Sequence, residues 1–299
     1  MKEVVFESID IYKKFNDLDA LNGLSFKIIK GQIYGLIGED NVGKSTLLKI
    51  ICGLINPTKG YISLFGETSE LNSIKKNIGF LVGEPALYPN MTALENINYY
   101  RLLCGLKKIG YDKSFPFQMP KLNKTEIVGK FSFAEKKKLA ILLSLVNSPK
   151  LVILDEPFQG LDKSSAIEMI SVLKNYAKDN DATMLITDKN IENVGLIATN
   201  YGFIHRGRLI KELTKEDMDA LNINKVVIET HESDDRLLSL RENYNFDVSE
   251  NKVIISEDKA YMEDILRVLL TNNVGISDIS LTSNKFENYY LKLIEEFYE

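Results

Sequence analysis

The stretch Gly38-Glu39-Asp40-Asn41-Val42-Gly43-Lys44-Ser45-Thr46 constrains this chain more than any other. It fits the pattern G-x-x-x-x-G-K-[ST], and both flanks suit it. Gln32–Ile37 before it reads as a buried strand, and TLLKIICGLI after it has apolar positions at helical spacing. Gly38 and Gly43 let the backbone curl so that amide N–H groups face one anion. The helix that follows adds the positive end of its dipole. Lys44 can then reach the β- and γ-phosphates of a nucleotide, and the Ser45 hydroxyl can ligate Mg²⁺.

A second stretch supplies what a phosphate loop lacks. Leu151-Val152-Ile153-Leu154 reads as a buried strand whose end delivers two adjacent carboxylates, Asp155 and Glu156. Adjacent side chains on a pleated strand face opposite ways, so the two are expected to do different work. Asp155 would hold Mg²⁺, partly through water, and Glu156 would polarise the attacking water as general base.

The remaining pattern fits an α/β fold built around such a site. VVFESIDIY and LNGLSFKII alternate apolar and polar residues, which predicts an antiparallel pair, and YISLFG returns to strand after the turn at Asn56-Pro57. Thr92 to Gly129 reads as helical with a loose middle broken by Pro116 and Pro120. A helix at Phe133–Val146, the 151–154 strand, a helix at Ser164–Ala177, a strand at Thr183–Thr187 and a hairpin near FIHRGRLIKE follow. Strands alternating with helices predict a mostly parallel sheet. From about Leu221 a second unit begins: KVVIET as strand, a polar helix to about Tyr244, a hairpin in FDVSENKVIIS, a helix at YMEDILRVLL, a strand at ISDISLT and a helix at FENYYLKLIEEF. That order predicts a small ferredoxin-like α+β domain with an extra terminal helix. The expected division is 1–218 and 219–299, with a short helical subdomain at about 87–133 in the first.

Net charge is −5, which disfavours a general affinity for nucleic acid. Two cysteines cannot form a disulfide framework and point to a reducing, cytoplasmic setting. MKEVVFESIDIYKKF offers no apolar signal region, and stretches such as Leu139–Val146 fall far short of the ~20 residues that cross a bilayer. Any spanning part must then belong to another chain. Cys52 and Cys104 are expected in the core, and His205 and His231 carry no metal role for want of a second ligand. Lys136-Lys137-Lys138 is expected on a solvated helix face, and Tyr99-Tyr100 and Tyr289-Tyr290 as amphipathic packing.

With both motifs in place, the chain resembles the ATP-binding subunits of ABC transporters. The likeness runs through Phe15, GEDNVGKST, IGFLVGEPALYPNMTALENI, FSFAEKKKLAILLSLVNSPKLVILDEP and Gly160-Leu161-Asp162, over roughly residues 1–215. LYPNMTALEN, SPKLVILDEPFQGLD and the C-terminal domain look most like the bacitracin- and lantibiotic-type exporter subfamily. The resemblance implies an ABC-type P-loop NTPase that uses ATP and Mg²⁺, with Phe15 stacked on adenine and Asp162 among the site positions. It also implies a dimer sandwiching two ATP molecules, each between one subunit's phosphate loop and the other's signature helix. That dimer would work on an integral membrane permease at the cytoplasmic face of the membrane, with no nucleic acid involved.

The departures from the family pattern are specific. The signature, usually Leu-Ser-Gly-Gly-Gln, reads Phe131-Ser132-Phe133-Ala134-Glu135. A Cβ at Ala134 narrows the approach to a γ-phosphate, and Ser132-x-x-Glu135 is also a capping box that sets a carboxylate where the partner's ATP would dock. Gly83 stands where a glutamine is usual, with Glu84 one residue later as its substitute. Asp188 stands where a histidine is usual; ionised, it cannot donate to a γ-phosphate and repels it, with Lys189 or Mg²⁺ available to offset part of that charge. Lys107–Lys130 is shorter than the usual helical arm. Intact phosphate machinery beside degraded contacts suits an asymmetric ATPase dimer that slowly hydrolyses ATP to export a peptide or similar amphiphile. The alternative is an ATP-dependent clamp or sensor that regulates a transporter with little hydrolysis, although such a clamp does not need Glu156.

Overall fold

A computed structural model of the chain describes residues 3–68, 75–84, 86–110, 122–221, 224–232, 237–238, 247–249, 252–255, 259–283 and 286–298. They fall into two compact units, Met1–Lys215 and Glu216–Glu299.

In the first unit the alternating opening sequence forms β1 (Val4–Phe15) and β2 (Leu18–Ile29). With β4 (Lys59–Leu64) they make an antiparallel sheet of order β2-β1-β4. The apolar runs instead build a second sheet from β3 (Ile33–Ile37), β5 (Ile78–Leu81), β6 (Leu151–Asp155), β7 (Thr183–Asp188), β8 (Asn200–His205) and β9 (Arg208–Thr214). Its order is β5-β6-β7-β3-β8-β9, parallel throughout except for the β8–β9 hairpin. β3 and β7 are buried along their whole length, which is why they read as continuous apolar runs rather than alternating ones. One core lies between the antiparallel sheet, α1 (Lys44–Ile51) and one face of the large sheet, through Phe6, Leu24, Leu48 and Ile153. A second core packs α3 (Phe133–Ser144) and α4 (Lys163–Asn180) through Ile141, Leu142, Val152, Leu173 and Met184.

Within 92–129 the one regular α-helix among the described residues is α2 (Ala93–Leu103). Its capping box pairs Thr92 and Glu95. Residues 104–110 and 122–127 are irregular, and the segment with Pro116 and Pro120 lies outside the described residues, as does part of the shortened arm. Two expectations fail in this region. Cys104 is exposed rather than in the core, because it caps the C-terminus of α2 beyond the buried stripe. Lys137 and Lys138 are buried, not on a solvated face. From Lys137 to Ser144 every residue of α3 is buried, so these two lysines lie where the helix enters the core. Lys138 meets Glu168 of α4 at 2.6 Å.

A helix α6 (Lys215–Leu221) follows a short α5 (Ile191–Gly195), and the expected boundary at 218/219 falls inside α6. The second unit has β10 (Asn224–Thr230), β11 (Asp247–Ser249), β12 (Lys252–Ile255), α7 (Lys259–Thr271), β13 (Ile276–Ser283) and α8 (Phe286–Tyr298). Its sheet runs β11-β12-β10-β13, every neighbour antiparallel, which is the ferredoxin-like order. Ile228, Val253, Ile265 and Leu269 form its core. The polar helix expected up to Tyr244 lies mostly outside the described residues.

Candidate phosphate-binding site

Three neighbouring parallel strands end at one edge of the large sheet, and the register sets what meets there. Ile37 of β3 pairs with Asp188 of β7, and Asp155 of β6 pairs with Thr187. Residues 38–44, 155–156 and 187–189 are therefore gathered by backbone hydrogen bonding before any side chain contributes. The crevice beyond the carboxyl ends of such strands is where open α/β sheets bind ligands.

The loop after β3 curls as its glycines allow. Gly43 sits at φ 109°, and a Cβ there would lie 2.4 Å from the Ala20 carbonyl oxygen, so no other residue fits. Asn41 adopts φ 63°. No side chain caps the first turn of α1, which leaves its amide N–H groups to an anion. Lys44 is only 4% exposed. Its ammonium donates to the carbonyls of Gly38 at 2.6 Å and Glu39 at 2.7 Å, and lies 3.7 Å from Glu156 Oε1. Val42 is in the core, Thr46 is half-buried, and Glu39, Asp40, Asn41 and Ser45 are exposed.

The two carboxylates are separated, but not by the pleat. β6 ends at Asp155, and Glu156 turns away in a left-handed conformation at φ 46°, its amide donating to the Thr187 carbonyl at 2.9 Å. A non-glycine residue held there is uncommon and costs energy that the surrounding structure must offset. Asp155 Oδ1 accepts from the Thr187 hydroxyl at 2.6 Å, leaving its second oxygen for a cation. This chemistry fits Mg²⁺: a carboxylate held by a neighbour, and an exposed serine hydroxyl at the start of α1.

Asp188 is enclosed at this edge. It is 3% exposed, Oδ1 accepts from the Asn190 amide at 2.9 Å, and Oδ2 has no partner. Burial pushes its pKa up to about 6, against the Asn190 hydrogen bond and with help from the charge of Glu156. It is thus mostly ionised at neutral pH, but takes up a proton far more readily than an ordinary aspartate. Below about pH 6 it becomes a neutral acid that can donate. Next to it, Lys189 Nζ meets Asp40 Oδ2 at 2.9 Å, which holds the Asp40 carboxyl below the usual range.

The other expected positions lie around this edge. Gly83 is exposed at φ 79° with open space beside it, and Glu84 follows it, also exposed. On α3, Glu135 Oε2 accepts from the Ser132 amide at 2.8 Å and from its hydroxyl at 2.7 Å, while Ser132 Oγ accepts from the Glu135 amide at 3.3 Å. These bonds, the hydroxyl first, hold the Glu135 carboxyl below its usual range. The helix end is therefore satisfied by its own side chain, with Ala134 in its first turn. Among the described residues Ser132 and Glu135 form no hydrogen bond or ion pair with the loop. Asp162 caps α4, accepting from the Ser165 amide at 2.8 Å and hydroxyl at 3.1 Å. Phe15, at the end of β1, is 44% exposed, with Lys13 Nζ 4.9 Å from its ring centre.

Sequence reasoning missed Thr187 and Lys137. Thr187 was legible only as a strand residue; its role follows from the register that sets it opposite Asp155. Burial lowers the Lys137 pKa, while the charges of Asp155, Glu156, Glu84 and Asp188 raise it, so this lysine is tied electrostatically to the same edge. A cation just ahead of the apolar run Leu139–Leu143 was the available signal.

Comparison with known proteins agrees with this geometry. The profile of the ABC transporter family matches residues 21–159. The lantibiotic transport ATP-binding protein SrtF of Streptococcus pyogenes is 32% identical over 230 residues, covering 74% of this chain and 96% of that protein. The bacitracin transport ATP-binding protein BcrA of Bacillus licheniformis is 26% identical over 297 residues, covering 97% of each. Among solved structures, a dimeric ATP-binding cassette in a post-hydrolysis state, bound to ADP and Pi, shares the fold with a TM-score of 0.61 at 20% identity, covering 70% of this chain and 98% of its own.

Proposed function

Because this chain belongs to the ABC transporter family of ATPases, we propose that it binds Mg-ATP at residues 38–46 and hydrolyses it slowly. That cycle drives export of a peptide or similar amphiphile through a separate membrane permease. The chain is one half of an asymmetric ATPase dimer, peripheral on the cytoplasmic face of the membrane. The observation that carries this reading is the Lys44 ammonium seated inside the loop, 3.7 Å from Glu156, with open α1 amides beside it.

On binding, Lys44 exchanges the Gly38 and Glu39 carbonyls for the β- and γ-phosphates, while loop and α1 amides take the remaining phosphate oxygens. The Ser45 hydroxyl and Asp155 would hold Mg²⁺, with Thr187 keeping Asp155 oriented. When bound, the ion neutralises charge on the phosphates. Glu156 takes the proton of the attacking water. Exposed Phe15 is available to stack on the base.

Asymmetry is supported by the occupied α3 terminus, where Glu135 stands as an anion in the place of a partner's phosphate. Docking of a permease is supported by a cavity of about 360 Å³ lined by Phe80, Ala86, Leu87, Tyr100, Leu143 and Val146. No helix among the described residues is long and apolar enough to cross a membrane; in this reading the path belongs to a permease on another chain. The relatives named for bacitracin and lantibiotic transport support a peptide-like cargo.

The test is ATP turnover by the chain alone and by the assembled complex with its permease and second ATPase. Weak turnover alone, faster turnover in the complex, and loss of both in Glu156→Gln are expected. Robust turnover by the isolated chain would reject the asymmetric dimer. Absence of chemistry in the complex would favour a clamp.

A further inference from the structure

The strand edge that holds the phosphate loop is crowded with carboxylates: Asp40, Asp155, Glu156 and Asp188. Lys44 is enclosed, and its length is already committed to the inside of the loop. Lys189 differs. It lies one residue beyond the paired step Ile37–Asp188, level with the point where the loop leaves β3. Its ammonium is joined to Asp40, a residue of the loop itself, at 2.9 Å. It also feels the negative charge of Glu156 and Asp188. Both partners are about half exposed, and an ion pair so exposed is weak and readily exchanged. A phosphate carries more charge than a carboxylate and accepts shorter, stronger hydrogen bonds from an ammonium group. A terminal phosphate arriving at this edge adds negative charge beside these carboxylates, and a cation within reach offsets it.

We propose that Lys189 leaves Asp40 when a nucleoside triphosphate binds and donates to the terminal phosphate, so that it discriminates triphosphate from diphosphate. This rests on residues 38–46 being the nucleotide loop. The diphosphate lacks the group that Lys189 grips, so Lys189 stays on Asp40 when ADP binds.

The experiment is equilibrium titration of the full chain, with Mg²⁺ present, using a non-hydrolysable ATP analogue and, separately, ADP. Lys189→Gln is expected to weaken the analogue about tenfold, the size of one charge-assisted hydrogen bond, and ADP less than twofold. Lys189→Arg should recover most of the loss. Asp40→Asn removes the competing carboxylate and should tighten the analogue about twofold. Equal losses for both nucleotides in Lys189→Gln, or no loss, would overturn the proposal. So would an Asp40→Asn variant that reproduces the Lys189→Gln loss, since Lys189 would then act only by holding the loop. If the unaltered chain binds neither nucleotide, the loop reading fails as well; binding of both by the unaltered chain, with equal losses or none in Lys189→Gln, sinks the Lys189 proposal alone.

Discussion

Asp188 provides a quantitative test because its carboxyl is almost completely buried. Its carboxyl moves from an ordinary 3.8 to about 6, chiefly through desolvation. The shift of about two units corresponds to about 3 kcal/mol at ~1.4 kcal/mol per unit. An aspartate whose folded pKa is raised stabilises nothing when ionised. The fold keeps its full stability below about pH 3.8 and loses that amount as pH rises through about 6. Asp188→Asn cannot ionise and leaves the acceptor for the Asn190 amide in place. It also leaves one unpaired polar atom where Oδ2 was, so that cost is common to both proteins and cancels from the pH dependence. Integrating between the two pKa values, the penalty is about 1 kcal/mol at pH 4.5 and about 3 kcal/mol at pH 7.5. The stability of Asp188→Asn relative to the unaltered chain should therefore grow by about 2 kcal/mol over that interval. Urea unfolding of both proteins at each pH, followed by circular dichroism, measures it. Parallel stability curves across the interval would refute a raised pKa at this position.

Three further substitutions address the loop and its supports. Gly43→Ala puts a Cβ against the Ala20 carbonyl at a backbone angle that side chains rarely adopt; a loss of about 2 kcal/mol in unfolding stability is expected, with nucleotide binding abolished. Thr187→Val removes the hydroxyl that donates to Asp155. The Mg²⁺ concentration giving half-maximal nucleotide binding should rise about fivefold, and an unchanged requirement would show that Asp155 needs no such support. Glu135→Ala breaks the α3 capping box. Unfolding stability should fall by about 1 kcal/mol, while ATP-dependent self-association, followed by light scattering, should strengthen as the competing carboxylate disappears.

Legibility in the sequence divided along physical lines. The phosphate loop was readable because glycine spacing and a strand-to-helix change are local signals, and the parallel sheet followed from the alternation of strands with helices. The Ser132–Glu135 capping box was readable for the same reason, since it spans a single helical turn. What escaped depended on register. Thr187 gains its role from lying opposite Asp155, and the link between Lys189 and Asp40 joins residues far apart in the chain. Glu156 escaped differently. The pleat argument assumed that the strand continues, whereas a left-handed residue ends it and re-aims the carboxylate. Lys137 and Asp188 show that charged residues near a buried edge follow their surroundings rather than their composition. A run of three lysines suggested solvent, yet Lys137 and Lys138 lie where the helix enters the core.

The central claim is that the cradle formed by the loop and the first turn of α1 holds a nucleoside triphosphate through the enclosed Lys44 ammonium. Calorimetric titration of the full chain with Mg-ATP, beside a Lys44→Ala variant shown to be folded, measures this directly. Saturable one-to-one binding that falls at least about a hundredfold in the variant is the predicted result. Equal affinity in the two proteins, or no heat of binding in the unaltered chain at saturating magnesium, would contradict the account.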